Sequence, residues 1–407
     1  MKTVRGMQDF VGENARKKQF VEDTCRQVFE SYGFEPLQTP ALEELETLTK
    51  KDTAGTAIKD EIYFFNDKGG REIGLRFDLT VPLARVVASN PALKKPFKRY
   101  QIAQVWRYDR PQAKRWREFT QADADIIGSP LVSADFECVL IAVDVLKKLG
   151  VKGKIKVNNR KLLEDFAVAC GVKKDQAKEC FRCMDKLDKI GTKEVEKELK
   201  EKKIKTEIVA KLSCSIKELQ KIIPSSEGLK EINELFSLAK KTGVEEFLEF
   251  DLSLARGLEY YTGNVFEVKS DGPSIGGGGR YDNLISDMGG AKVPAVGISF
   301  GVERVMELVK EKNPNGTKVF IAPFSKDFFE PALLLCQKIR ALGISTEIDL
   351  MNRNVSKSLE FASGKKIPFA IVFGENEEKE KAFNLKNMAT GKQEKIRFNE
   401  LEKLKKL

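Results

Sequence analysis

The spacing of apolar positions predicts that the chain opens on a helix. Over residues 14–32, Phe20, Val21, Cys25, Val28, Phe29 and Tyr32 recur at intervals of three and four, and Gly33 supplies a natural stop. The stretch Phe34-Glu35-Pro36-Leu37-Gln38-Thr39-Pro40 follows, and its two prolines permit an edge strand but not a central one. Between 62 and 75 the pattern reads strand, turn at 66–70, strand. Residues 99–109 read as a strand, 110–116 as a loop and 117–127 as a returning strand. The period of two in that return puts Arg117, Phe119, Gln121, Asp123 and Asp125 on one face, with Glu118, Thr120, Ala122, Ala124 and Ile126 on the other. The first face is chemically a binding surface; the second can pack against helices.

From 156 to 245 the sequence becomes rich in Lys and Glu with helical periodicity, and it is read as an inserted helical subdomain. Strand character resumes at Phe250, Leu252 and Leu254 and again over 265–268, so the insertion interrupts one domain instead of separating two. Beyond a linker at 312–317, strands at 319–323, 345–349 and 369–373 alternate with helices at 330–342 and 355–363. That order implies a small α/β domain with a largely parallel sheet. The resulting division is 1–155, 156–245, 246–312 and 317–407.

Several segments within this frame carry chemistry. Leu254-Ala255-Arg256-Gly257-Leu258-Glu259-Tyr260-Tyr261-Thr262-Gly263 sets a cation and two phenols between two strand patterns; without further context it is equally a hairpin whose Tyr pair packs and whose Arg is solvated. Asp78 and Thr80, with Leu79 between them, share one face if the chain there is extended, and a carboxylate beside a hydroxyl can hold an ammonium group. The alternative is that Asp78 starts a helix ahead of Pro82. The loop at 110–116 interleaves Arg110, Lys114 and Arg115 with Trp116, as phosphate and base contacts require, or else is a solvated basic hairpin tip. Gly276 to Gly279 form a run of four glycines followed by Arg280, Tyr281 and Asp282. Such a run lets backbone approach a ligand closely, but it is neither a P-loop nor a dinucleotide fingerprint. Over 296–305 a strand is expected to end at Gly301, which opens a helix with Arg304 in its first turn.

Composition narrows the chemistry. At 407 residues with 41% hydrophobics, the chain can fill two or three cores, and no apolar run approaches the roughly 20 residues of a membrane helix. Residues 1–6 hold no apolar stretch resembling a signal peptide, so a cytoplasmic location is expected. Seven scattered cysteines suit reduced thiols. Cys180 and Cys183 form a C-x-x-C, but no second pair or histidine completes a zinc site. A net charge of +10 points toward an acidic partner such as nucleic acid. The chain has no histidine, which removes the commonest general base and metal ligand together. Its chemistry must run on Arg, Asp, Glu, Tyr, main chain and Mg²⁺.

Taken together these segments resemble a class II aminoacyl-tRNA synthetase, specifically the histidyl-tRNA synthetase family. Residues 34–40 are similar to motif 1, 97–128 to motif 2 and 296–305 to motif 3. Arg256-Gly257-Leu258-Glu259-Tyr260-Tyr261-Thr262-Gly263 and Gly277-Gly278-Gly279-Arg280-Tyr281-Asp282 resemble the two signatures peculiar to that family. The resemblance implies an α+β fold: an antiparallel sheet flanked by helices, with a helical insertion and a C-terminal α/β anticodon-binding domain. It also implies a homodimer through motif 1 with Pro40, and as ligands L-histidine, ATP with Mg²⁺, and tRNA(His), with no metal resident in the protein.

By the same resemblance, Arg107 and Arg256 are the catalytic pair, Arg107 on the ATP α-phosphate and the histidine carboxylate, Arg256 on the α-phosphate. Arg304 holds the γ-phosphate, Arg115 joins the ATP site and Phe119 stacks on adenine. Asp78, Leu79 and Thr80 bind the α-amino group. Gln121, Asp125, Tyr260 and Tyr261 line the histidine pocket, Asp125 facing an imidazole N–H, and Tyr281 closes it. Arg110 and Gln112 meet the tRNA acceptor end. Adenylation joins two anions, so positioning and charge neutralisation dominate and no general base is needed. A chain without histidine can do it. The synthetase-like regulatory subunit of the histidine-biosynthetic phosphoribosyltransferase is a non-enzymatic relative that typically lacks the anticodon domain and active-site arginines. Here Arg107, Arg256, Arg304 and residues 317–407 are all present. The prolyl, threonyl and glycyl enzymes share a similar C-terminal domain but not the two signatures, and a noncatalytic nucleic-acid sensor on the same scaffold is the remaining rival.

Overall fold

The computed structural model describes residues 2–50, 61–108, 116–255, 260–310 and 316–407. The chain forms two compact units, residues 1–10 with 18–310 and residues 11–17 with 311–407. In the first unit the strands are β1 (Glu35–Pro36), β2 (Leu42–Glu44), β3 (Phe64–Asn66), β4 (Glu72–Leu75), β5 (Phe97–Trp106), β6 (Glu118–Ile127), β7 (Lys154–Asn159), β8 (Leu248–Phe250), β9 (Asn264–Lys269), β10 (Gly276–Arg280) and β11 (Ala295–Gly301). Among the described residues, eight of these form one sheet in the order β1-β5-β6-β11-β10-β9-β7-β8. It is antiparallel except at its two edges, where β1 pairs parallel to β5 and β8 parallel to β7. Strands β2, β4 and β3 make a separate small sheet.

The alternation along β6 decides which face is which. Ala122, Ala124 and Ile126 enter the main core with Val139, Ala142 and Val143 of the helix Val132–Leu149, and with Val21, Cys25, Val28 and Phe29 of the helix Gly12–Ser31. The intervening polar residues are thereby turned to the opposite face. The small side chains of Ala122 and Ala124 let the helix Val132–Leu149 approach closely. Beneath it Arg280 on β10 pairs with Asp135 in the first turn of that helix, both side chains at least 95% buried, and donates to the Ser129 carbonyl at 2.9 Å. This tie fixes the helix to the sheet from below.

The hairpin alternative for the stretch between the two strand patterns does not hold for the strands that flank it. β8 and β9 flank β7 on opposite sides and do not pair with each other. Parallel pairing of β7 with β8 requires a crossover, and the Lys/Glu-rich helices between Arg160 and Lys241 supply it. The expected insertion starts later than position 156, because Lys154–Asn159 is a sheet strand. Asn159 caps the first of these helices, its Oδ1 accepting from Lys161 N at 2.9 Å. Gly228 sits against that helix start, where a Cβ would lie 2.2 Å from Leu162 N. Cys180 and Cys183 are buried in the helix Ala177–Met184, and burial pushes their thiols up to about 12 and about 11. They are neutral core side chains.

In the second unit β12 (Val319–Pro323), β13 (Thr346–Ile348), β14 (Phe369–Phe373), β15 (Ala382–Asn387) and β16 (Gln393–Arg397) form a sheet in the order β13-β12-β14-β15-β16. The first three are parallel, as the β-α-β-α-β pattern predicts, while β15 and β16 add an antiparallel hairpin that the pattern does not indicate. The hairpin carries few apolar residues: Ala382, Phe383, Leu385 and Ile396 are its buried side chains. No helix among the described residues is long and apolar enough to cross a membrane.

Candidate active site

The polar face of β6 floors a cavity of about 500 Å³ in the first unit. Phe119, Gln121, Asp123 and Asp125 all line it, at the period of two that the sequence shows. Across the ladder their neighbours on β11 are small: Gly301 faces Gln121, Ser299 faces Asp123 and Gly297 faces Asp125. At Gly297 a Cβ would fall 2.0 Å from Asp125 Oδ1, so only glycine leaves room for that carboxylate. The glycine run Gly276–Gly279 on β10 continues the floor.

Asp125 is the most heavily held group. Its Oδ2 lies 2.7 Å from Nη2 of Arg99, whose side chain is 0% exposed, and its Oδ1 accepts from the Tyr281 hydroxyl. Burial raises its carboxyl above the usual range, and Arg99 and the Tyr281 hydrogen bond oppose that rise. Asp123 is raised to about 7, chiefly by burial and further by Asp125, with the Arg99 charge and the Ser299 hydroxyl acting the other way. Gln121 donates to Ser299 Oγ at 2.9 Å.

The tyrosines form the next wall. The rings of Tyr260 and Tyr261 are 4.5 Å apart, Tyr260 stands edge-on to Tyr281 at 6.3 Å, and the Tyr260 hydroxyl donates to Tyr261 at 3.3 Å. Burial pushes Tyr260 up to about 12 and Tyr261 and Tyr281 well above the ordinary phenol value. All three are neutral donors at physiological pH. Asp78 and Thr80 also line the cavity, but not on an extended chain. Thr80 is the first residue of the helix Thr80–Ser89, and Asp78 Oδ1 accepts from Val81 N at 3.0 Å. The helix-start alternative is therefore the observed geometry, with Pro82 tolerated in the first turn. Leu79 is 0% exposed and packs in the core; its carbonyl accepts from Arg99 Nη2 at 3.3 Å, and it does not line the cavity.

Two cations complete the described site. Arg107, just past β5, donates from Nε to the Phe77 carbonyl at 2.9 Å, and its guanidinium stands 5.3 Å from the Phe119 ring centroid. Arg304, in the first turn of the helix Val302–Leu308 with Gly301 as its N-cap, donates to the Ser274 carbonyl at 2.8 Å. Its neighbour Glu303 accepts from Thr120 N at 2.9 and 3.0 Å and pairs with Lys18 at 2.9 Å, locking helix to sheet. Arg110, Gln112, Arg115 and Arg256 lie outside the described residues. Sequence reasoning assigns no role to Arg99 or Ser299, and gives Asp123 only a place on a face. A signal for Arg99 exists: equal steps along both strands away from the pair Trp106–Glu118 reach Arg99 and Asp125, which the register places opposite each other.

An antiparallel sheet carrying a cavity with paired carboxylates, phenols and arginines, together with a separate α/β unit, defines an aminoacyl-tRNA synthetase. Comparison with known proteins makes the class specific. Residues 6–305 match the family model described as histidyl-tRNA synthetase, and residues 318–406 match the anticodon binding domain. The chain belongs to the histidyl-tRNA synthetase family, and its activity is the ATP-dependent ligation of histidine to tRNA. A histidine–tRNA ligase of Cytophaga hutchinsonii is 38% identical over 442 residues, covering 98% of this chain and 97% of the relative. Histidine–tRNA ligase 2 of Shouchella clausii is 35% identical over 418 residues, covering 97% and 98%. The crystal structure of histidyl-tRNA synthetase from Nostoc sp. PCC 7120 superposes with a TM-score of 0.88 at 29% identity, covering 100% of this chain and 99% of that one.

Proposed function

We propose that the β6 cavity is where this synthetase forms histidyl-adenylate. The observation that carries the reading is the joint placement of Asp78, Thr80, Arg107, Gln121, Asp125, Tyr260, Tyr261 and Tyr281 around one cavity beside Phe119 and Arg304. Asp78 and Thr80 take the α-ammonium group of histidine. Gln121, Asp125 and the tyrosines surround its imidazole, Asp125 accepting one ring N–H. Phe119 stacks on adenine, Arg304 takes the γ-phosphate, and Arg107, with Arg256, neutralises the carboxylate and the α-phosphate as they approach in line. Arg115 joins the ATP site. Pyrophosphate leaves, and the terminal ribose hydroxyl of tRNA then attacks the acyl carbon and expels AMP.

Selectivity follows from the same side chains. A buried polar pocket left unmatched by an apolar or differently shaped amino acid rejects it by roughly 10⁴ or more. Mg²⁺ is assigned to the phosphates of incoming ATP. Arg110 and Gln112 are assigned to the acceptor end of tRNA(His), and the unit from 317 to 407 to its anticodon. A homodimer through the segment 34–40 and a cytoplasmic location complete the reading.

The test is amino-acid-dependent ATP–pyrophosphate exchange across the twenty amino acids. Exchange with histidine alone is expected; exchange with a different amino acid, or none, overturns the reading. Within the pocket, Asp125→Ala is expected to raise the KM for histidine at least tenfold more than that for ATP. Equal changes in both constants would remove Asp125 from the histidine subsite.

A further inference from the structure

Asp123 and Asp125 stand two residues apart on one face of β6, about 6.6 Å between Cα atoms at ordinary strand rise, and both line the cavity. Their situations differ. Oδ1 of Asp125 accepts from the Tyr281 hydroxyl, and its Oδ2, which like Gln121 Oε1 accepts no hydrogen bond, is ion-paired with Arg99 at 2.7 Å. Asp123 is only 2% exposed, yet its Oδ1 has no hydrogen-bond partner. A buried acceptor left without a donor is costly, and native structures keep one where a ligand or a water completes it. The groups facing Asp123 are the cation Arg99 on β5, Asp125 on its own strand, Ser299 on β11 and, from the cavity side, Asp78, Tyr260 and Tyr261. None of these supplies a donor to Oδ1.

Charge counting adds a constraint. Arg99 balances Asp125, with which it is paired at 2.7 Å. It is also the cation beside Asp123, so one arginine faces two carboxyls on the β6 floor. A neutral imidazole has one N–H and one bare nitrogen; Asp125 can accept the N–H, and the bare nitrogen is then met by a donor, either a tyrosine hydroxyl or a protonated Asp123.

We propose that Asp123 is a second imidazole-binding residue, sharing one proton with the ring nitrogen that Asp125 does not contact. The inference rests on the reading of this cavity as the histidine pocket. The proton resides on either partner: a protonated Asp123 donates to the bare nitrogen, or the ionised carboxylate accepts from an imidazolium N–H. Proton and charge balance both ways, because one proton serves the pair. Its free value near 7, beside an ordinary imidazole at about 6.5, sets the pH behaviour. Above pH 7 both free partners have lost that proton, so binding must take one up from solvent, and histidine affinity falls as pH rises.

The experiment measures histidine binding to the full chain by calorimetry at pH 8 in two buffers of different ionisation enthalpy, and histidine and ATP KM values in pyrophosphate exchange between pH 6 and 9. The wild-type protein is expected to take up close to one proton per histidine at pH 8. Asp123→Ala, which leaves neither a donor nor a titrating group there, is expected to take up close to none, to raise the KM for histidine at least tenfold, to leave that for ATP within twofold, and to flatten the alkaline fall in kcat/KM. Near-zero uptake by the wild type overturns the proposal without any variant being made. An unchanged histidine KM, or the same uptake in both proteins, overturns it as well. Absence of histidine-dependent exchange in the wild type would instead overturn the reading of the pocket itself.

Discussion

Arg107→Ala is expected to lower histidine-dependent ATP–pyrophosphate exchange by about 10³-fold while leaving the fold intact. Adenylation brings a carboxylate onto an α-phosphorus, and the approach of two anions sets much of the barrier. A fixed cation aimed at the charge that develops is worth about 10² to 10³ in rate when removed. Arg107 is so placed: its Nε is tied to the Phe77 carbonyl at 2.9 Å, which leaves the rest of the guanidinium directed along the cavity over Phe119. The backbone bond from Arg107 N to the Arg117 carbonyl, at 2.9 Å, closes the β5–β6 pair and survives the substitution. Arg107→Lys should recover only part of the loss, because a point charge cannot reproduce the fork. Exchange within tenfold of wild type in a folded Arg107→Ala protein would remove this residue from the catalytic role.

The largest effect on stability is expected from Arg99→Met. Arg99 has 0% exposed side chain and is the cation beside both Asp123 and Asp125. Removing one partner of a buried ion pair typically costs about 3 kcal/mol or more, because the other charge is left unmatched. Without Arg99 both carboxyls rise further above their unfolded value of about 3.9. A raised carboxyl destabilises the folded state increasingly as pH climbs from the unfolded value to the folded one, since ionisation there is resisted only in the native protein. The loss in the unfolding midpoint should therefore be larger at pH 8 than at pH 6. Denaturation of wild type and variant at the two pH values checks this, and an equal loss at both would show that Arg99 acts through packing and not through its charge.

Much of the site is legible because β6 states it plainly. Its alternation alone assigns Phe119, Gln121, Asp123 and Asp125 to one face, and that face floors the cavity. The helix opened by Gly301, with Arg304 in its first turn, is equally plain, because glycine at the strand end and the apolar spacing after it agree. Asp78 is harder. Carboxylate, hydroxyl and proline within five residues suit either an extended chain or a helix start, and only the packing of Leu79, Val81, Leu83 and Ala84 into the interior settles on the helix.

Other features depend on partners remote in sequence. A single Arg99 in a strand looks like a surface cation until register sets Asp125 opposite it across β5 and β6. The Tyr260 and Tyr261 pair looks like the end of a hairpin because β8 and β9 are close in the chain, yet β7 separates them. Local periodicity carries no information about which strand intervenes. The β15–β16 hairpin escapes for a related reason: β16 buries only Ile396, too little to announce a strand, and it gains its order by pairing with β15, which in turn pairs with β14.

The sequence by itself determined the family, the polar face of β6, and the absence of any histidine to act as base or ligand, since these depend on residue type and short-range spacing. Tertiary structure decided that Asp78 begins a helix, that β7 lies between β8 and β9, and that Asp125 is held by Arg99 and Tyr281 while Asp123 keeps a buried oxygen without a partner. The physical reason is that a carboxyl's charge and availability are set by burial and by the groups that folding brings beside it.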